Sequence, residues 1–170
     1  MKRKGPTDTG CPVLRSLKQV GDAWSFLILR DALGGSTRFD DFQRNLDIAP
    51  NILSGRLKAL DEAGLMERRR YSDHPPRDEY HLTERGRDFR PIMQALLAWG
   101  NRHFAPEGES VVIVNRETGR QAEPVMIDRV SGRPLSDPVF AQAAGPAASE
   151  RIRRRYPAIS EFLQAREAGR

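Results

Sequence analysis

The sequence predicts a mainly α chain with a small β component. A helical domain with one internal β-hairpin comes first, followed by a short β-rich appendage and a helical tail. Three observations predict it. Apolar residues recur at helical spacing in successive blocks between residues 11 and 104. One stretch inside that region breaks the period, with two β-type runs around a pair of consecutive prolines. After residue 104 the composition shifts to short β-branched runs, glycine turns and finally polar helical segments.

Each element has a local cause. Cys11-Pro12 opens the first helix, since proline at the first helical position removes only an N–H that would be orphaned there. Val13, Leu14, Leu17 and Val20 give that helix its period. Gly21-Asp22 breaks and recaps the chain, with Asp22 a natural N-cap. Trp24, Phe26, Leu27, Ile28, Leu29 and Leu33 follow, apolar nearly all round, as in a buried central helix. Gly34-Gly35-Ser36 stops it. Phe39–Leu46 is a short helix with Phe39, Phe42 and Leu46 inward. Residues 50–62 form the next, with Ile48, either Ile52 or Leu53, Leu57 and Leu60 inward and Asn51, Ser54, Gly55, Arg56 and Lys58 outward. Ala63-Gly64 ends it.

Leu65–Tyr71 reads as a strand, Asp73–Asp78 as a turn and Glu79–Leu82 as the return strand. Thr83 caps a last helix reaching about Phe104, with Gly86 an imperfection in its first turns and Phe89, Ile92, Met93, Leu96, Leu97 and Trp99 as its apolar stripe. In the appendage, Ser110–Asn115 and Pro124–Arg129 read as strands, each followed by a turn. Residues 137–148 are Ala/Pro/Gly-rich and read as extended. Ser149–Tyr156 and Ala158–Ala168 read as a polar helical tail broken at Pro157.

Composition excludes several classes. With 170 residues the chain can bury a real core. No stretch approaches the roughly 20 apolar residues of a membrane span, and mean hydropathy is −0.61. One cysteine excludes an internal disulfide scaffold. The basic start lacks an apolar stretch behind it, so a secretory signal is not expected and a cytoplasmic location follows. Net charge is +5 with pI ≈ 9.9, which favours a polyanionic partner.

Helix, turn, helix and then a two-stranded basic hairpin make a winged helix–turn–helix. A helix of this length fits the DNA major groove, where short or forked polar side chains read base edges. Pro50, Asn51, Ser54, Arg56 and Lys58 on helix 50–62 meet that requirement. Arg68, Arg69 and Arg70 lie along the first wing strand, and alternation puts Arg68 and Arg70 on one face and Arg69 on the other. His74 and Arg77 sit at the proline-rigid tip, where Arg77 can reach a minor groove.

The stretches Cys11-Pro12, Gly21-Asp22-Ala23-Trp24, Leu29-Arg30-Asp31-Ala32, Arg38-Phe39-Asp40-Asp41-Phe42-Gln43, Ile48-Ala49-Pro50-Asn51, Arg56-Leu57, Gly64-Leu65, Pro75-Pro76-Arg77-Asp78-Glu79-Tyr80 and Leu82-Thr83 resemble the HxlR family of bacterial transcriptional regulators. The resemblance covers roughly residues 11–104. It implies a homodimeric DNA-binding regulator on inverted-repeat operators, with helices at both ends of the domain as the dimer interface. Val13, Leu14, Leu17, Met93, Leu96, Leu97 and Trp99 are the residues this selects. In some members the cysteine matching Cys11 senses electrophiles or oxidants. Its position before a helix N-terminus favours thiolate; the plainer reading, a small semi-buried cap residue, is preferred here. Sensing would need an intersubunit disulfide or a mixed thiol adduct.

The expected organisation is a flexible basic arm over 1–10, a DNA-binding and dimerisation domain over 11–104, a β-rich appendage over 105–136 and a linker with helical tail over 137–170. Thr118-Gly119-Arg120 and Ser131-Gly132-Arg133 are paired turns, like the knuckles of a zinc ribbon. Residues 105–170 contain no Cys or His, so no metal is expected there. Arg151, Arg153, Arg154 and Arg155 either touch phosphates or solvate the tail, with solvation preferred because Glu150, Glu161 and Glu167 partly offset them. His74, His81 and His103 are dispersed and no catalytic motif accompanies them, so neither an enzyme nor a cofactor is expected. The expected function is a sequence-specific repressor or activator on double-stranded DNA. A winged-helix protein-interaction module using 105–170 is the alternative. A small-molecule effector is left open, since no residue set selects one.

Overall fold

The computed structural model describes residues 10–168. Apart from Gly10, the arm expected over 1–10 lies outside the described residues. Two compact units divide the chain: Gln19–Val125, and the described parts of Met1–Lys18 and Met126–Arg170. Helix α1 (Pro12–Val20) ends in the first of these, where Val20 enters the core.

In Gln19–Val125 the order is α2 (Ala23–Leu33), α3 (Phe39–Leu46), α4 (Pro50–Glu62), β1 (Met66–Asp73), β2 (Pro76–Leu82), α5 (Glu84–Arg87) and α6 (Arg90–Phe104). The core collects Ile28 and Leu29 from α2, Phe42 from α3, and Leu53, Leu57 and Leu60 from α4. Ile48, Leu65, Met66 and Phe89 complete it. Asp22 caps α2: the Ser25 amide donates to Oδ1 at 3.1 Å and the buried Ser25 hydroxyl to Oδ2 at 2.6 Å. That satisfies a helix-terminal donor and a buried hydroxyl together.

The turn between α3 and α4 carries Asp47 in the left-handed region, at φ 47° and ψ 42°, a conformation aspartate tolerates better than most residues. This drives Ile48 into the core and sets the entry of α4. The inward choice on α4 is Leu53, fully buried; Ile52 is 40% exposed. Gly64, at φ 67°, ends the helix. Its amide donates to Asp61 and that of Leu65 to Leu60, so two orphan carbonyls are closed in the left-handed stop that favours glycine.

The hairpin is longer than the sequence suggests. Strand β2 starts at Pro76, paired with Asp73, and only His74-Pro75 remains as the turn. A proline at the first residue of an edge strand withholds no ladder bond, so it does not exclude a strand. Residues 37 and 38 add a single bridge to β2 that the sequence does not foretell. The Tyr80 amide donates to the Thr37 carbonyl at 2.7 Å, and Arg38 bridges Glu79. As N-cap of α3, Arg38 has an extended backbone and can pair with a strand.

The single helix expected from Thr83 to Phe104 is two helices. Pro91, in the first turn of α6, lacks the N–H that a continuous helix would bond back to Arg87. Gly86 is no imperfection: a Cβ there would lie 2.0 Å from the Leu65 carbonyl oxygen, so only glycine lets α5 press on the segment between α4 and β1. The Phe26 and Phe89 rings meet edge-on at 5.3 Å and join α2 to the start of α6.

The two strands expected in the appendage do not form. Each reduces to one bridge closing a turn, Val114 with Gln121 and Ile127 with Pro134. The Asn115 side chain accepts from the amides of Glu117 and Thr118, and the Asp128 side chain from those of Val130 and Ser131. Turn closure by these side chains replaces a ladder, and Pro134 cannot donate to one. In the second unit, Ala144 bridges Ala158, α7 spans Glu150–Arg153 and α8 spans Ile159–Ala168. The helix expected to reach Tyr156 stops at Arg153 and continues as a turn.

Candidate nucleic-acid interface

The periodicity of α4 sorts its side chains. Leu53, Leu57 and Leu60 are buried, and Asn51, Ser54, Gly55 and Lys58 are exposed opposite them. Pro50 opens the helix, and no side chain caps its N-terminus. Lys58 makes only an exposed pair with Glu62 at 3.7 Å. A Cβ added to Gly55 would meet nothing within 4 Å, so the middle of this face is bare.

Arg56 does not share that face. At 100° per residue it lies about 140° around the helix from Asn51. Its Nε is 3.2 Å from Asp22 Oδ1. The outward placement expected for Arg56 is therefore corrected: its guanidinium is drawn to the cap of α2. Burial pushes the Asp22 carboxyl up, but the hydrogen bonds from Ser25 and the charge of Arg56 outweigh this and hold it below the ordinary value.

The expected alternation holds in the wing. Arg68 and Arg70 share a face and both bind Asp78, Arg70 Nε at 3.0 Å from Oδ1. Arg69, on the other face, pairs with Glu67. Arg38 reaches Glu79 at 3.2 Å and lies over the Tyr71 ring at 5.1 Å. Arg68, then Arg70, hold the Asp78 carboxyl below its usual range, and Arg38 does the same for Glu79. The expected basic character of the hairpin is corrected too: residues 66–82 hold four arginines and four carboxylates. Arg77, exposed beside the tip, is the wing arginine with no carboxylate partner among the described residues. His74 is exposed in the turn itself.

The residue sets selected for self-association lie on α1 and α6. On α6, Leu96 is exposed, Met93 and Leu97 are half-buried, and Trp99 is 53% exposed. Trp99 stacks edge-on against Phe104 at 4.9 Å, not into the core, and no residue of α6 is buried. On α1, Val13 and Leu17 are exposed and Leu14 is half-buried. Cys11 precedes α1 as a free, half-buried thiol.

With helix–turn–helix and wing in place, comparison with known proteins is decisive. The HxlR-like helix-turn-helix family matches residues 19–108. The chain belongs to that family. As an HxlR-like protein it is a transcriptional regulator with a helix–turn–helix DNA-binding fold. It is 38% identical over 138 residues to Rv3095 of Mycobacterium tuberculosis, an uncharacterized HTH-type transcriptional regulator. The match spans 81% of this chain and 87% of that one. The structure of PA1374 from Pseudomonas aeruginosa is similar at 52% identity and TM-score 0.63, covering 85% of this chain and 99% of that one. The redox regulator HypR in its oxidized form is 33% identical with TM-score 0.51, covering 55% of this chain and 97% of that one. Among the described residues no helix is long and apolar enough to cross a membrane.

Proposed function

We propose that this HxlR-like chain binds an inverted-repeat operator as a homodimer. The outer face of α4 reads the major groove through Asn51, Ser54 and Lys58, with Pro50 at its entry. The observation that carries this is the exposure of those polar side chains directly opposite the buried Leu53, Leu57 and Leu60. Arg56 acts one step back, holding α4 against the capped start of α2. The wing lies on the flanking backbone or minor groove. Arg77 and His74 are its first contacts, because Arg68, Arg69 and Arg70 must exchange a carboxylate for a phosphate before they can serve.

Self-association pairs Val13, Leu14 and Leu17 with Met93, Leu96, Leu97 and Trp99 of a second copy. Val13, Leu17, Leu96 and Trp99 are exposed yet too apolar to be left in water, and the half-buried Leu14, Met93 and Leu97 flank them. Two recognition helices then stand about one duplex turn apart, or a multiple of it. Cys11 belongs to this reading as a cap residue, so diamide should leave DNA binding unchanged.

A footprint on the region upstream of the chain's own gene, at two salt concentrations and with and without oxidant, tests the proposal. The expected result is a protected inverted repeat that weakens steeply with salt. Asn51→Ala should lose preference for that site over a scrambled duplex. An absence of protection there and in a random-sequence selection would refute it.

A further inference from the structure

Charge is unevenly placed along this chain. Gln19–Val125, which contains the helix–turn–helix and wing, holds 15 Arg and Lys against 17 Asp and Glu. The rest holds 13 against 6. The unit that carries the recognition helix is thus net −2, and the whole basic excess lies outside it. Duplex DNA carries one negative charge per ~1.7 Å, and contacts between cations and phosphates supply much of a protein's affinity. A net-negative unit with a neutral wing is poorly equipped for that part of the work.

The arginines of the second unit are held differently from those of the wing. Arg153 donates to the carbonyls of Ala148 at 3.0 Å and Pro146 at 3.2 Å. Arg155 lies over the Tyr156 ring at 5.3 Å. Carbonyls and rings orient a guanidinium without cancelling its charge. Arg129 and Arg151 are exposed and have no carboxylate partner among the described residues. Among the described residues of 126–155, Arg133, on Asp137, and Arg154, on Glu150, are paired with carboxylates. Glu150 therefore offsets one tail arginine, not the set.

We propose that residues 126–155 form a second, sequence-independent contact to the DNA backbone, made by Arg129, Arg151, Arg153 and Arg155. This rests on the DNA-binding reading above and divides its labour: α4 selects the site, and residues 126–155 supply salt-sensitive affinity. Covalent continuity keeps them at high effective concentration near DNA already held by the winged helix.

The test uses the full chain and two duplexes, the protected operator and a scrambled sequence of equal length, titrated across a salt series. Each arginine–phosphate contact contributes about 0.9 to the slope of log affinity against log salt. Arg129→Gln plus Arg151→Gln, which removes no side-chain bond found among the described residues, should lower the slope by about 2 per subunit, about 4 for a bound dimer, on both duplexes. It should leave their affinity ratio unchanged. Adding Arg153→Gln and Arg155→Gln should lower the slope further, while Arg153→Lys with Arg155→Lys should preserve it. Asn51→Ala should do the reverse, collapsing the ratio at constant slope. An unchanged slope in the double and quadruple Gln variants, with wild-type binding intact, overturns the proposal and leaves these cations to an acidic protein or to solvent. Absence of wild-type binding to either duplex overturns it together with the DNA-binding reading.

Discussion

Arg56 Nε stands 3.2 Å from Asp22 Oδ1, so the helix proposed to read DNA is tied to the N-cap of the helix it packs on. Both side chains keep some solvent, and a pair of this kind contributes about 0–1 kcal/mol. Burial of Leu53, Leu57 and Leu60 sets the rotation of α4, and this pair adds a polar tie to α2 consistent with it. Arg56→Ala is expected to lower Tm slightly and reduce affinity for operator and scrambled duplex together. Asn51→Ala should instead act on their ratio. Thermal unfolding with anisotropy titrations on both duplexes separates the two, and a loss of selectivity in Arg56→Ala at unchanged Tm would make Arg56 a base contact.

Asp78 is the counter-charge of two wing arginines, so under the proposed DNA contact it competes with phosphate for them. Asp78→Asn removes the carboxylate that Arg68 and Arg70 share. The expected result is tighter binding and a salt slope steeper by about 1–2 per subunit, about 2–4 for a bound dimer, one increment for each freed guanidinium that reaches a phosphate. Arg77→Ala should act oppositely, with a shallower slope and weaker binding. Equal slopes in the two variants would remove the wing from the interface.

Two glycines on neighbouring elements should respond to alanine with opposite signs. At Gly86 the new Cβ would meet the Leu65 carbonyl oxygen at 2.0 Å and Leu82 Cδ2 at 2.9 Å. A backbone atom cannot swing away, so Gly86→Ala should destabilise by about 1–3 kcal/mol or more. At Gly55 the Cβ meets nothing, and a mid-helix glycine costs about 0.5–1 kcal/mol relative to alanine. Gly55→Ala should therefore raise stability. It should also weaken DNA binding, because the bare face lets a duplex approach the α4 backbone. Denaturant midpoints and operator affinities check both signs.

Much of this was legible in the sequence, for reasons that differ by residue. Pro50 and Gly64 punctuate α4 so strongly that its bounds follow from them, and the Leu53-Leu57-Leu60 spacing fixes its buried face. Asp22 as a cap follows from the glycine before it and the apolar run after it. Partners were not legible. Period 2 placed Arg68 and Arg70 on one face, but only the register brings Asp78 opposite Arg70 and within reach of both. Arg56 falls on the outward side when α4 is taken by itself, and its partner is 34 positions away. The Thr37–Tyr80 bond and the close approach at Gly86 are likewise long-range, and single-element patterns carry no trace of them. The appendage strands failed because β-branched runs such as Val111–Val114 predict strands only where a neighbouring strand pairs with them. Here each turn closes on itself.

The apolar surface of α6 should be quenched by a second copy. Leu96→Glu with Trp99→Ala places a charge and removes an exposed aromatic on a helix with no buried residue, so the monomer should stay folded. Light scattering should give about half the wild-type mass, and operator affinity should drop sharply as the paired half-sites are lost. A variant that keeps its wild-type mass would move the dimer contact off α6.

Acid should loosen the attachment of α4 before it unfolds the core. The Asp22 carboxyl is held below its ordinary 3.8 despite partial burial, because Ser25 hydrogen bonds and Arg56 favour the ionised form. A carboxylate with a depressed folded value contributes its stability fully above the unfolded value and loses it as pH falls through the folded one. The contribution is therefore present at neutral pH and begins to fade below about pH 4. Asp78 and Glu79 are depressed in the same direction by Arg68 and Arg38, so the wing ladder should weaken over the same range. Asp22→Asn keeps an N-cap acceptor but has no charge to lose. Its Tm should be lower than wild type at pH 7, and the gap should narrow as both are acidified toward pH 3. A constant gap across that series would place the depression of Asp22 in the unfolded chain as well, and remove Arg56 from its cause.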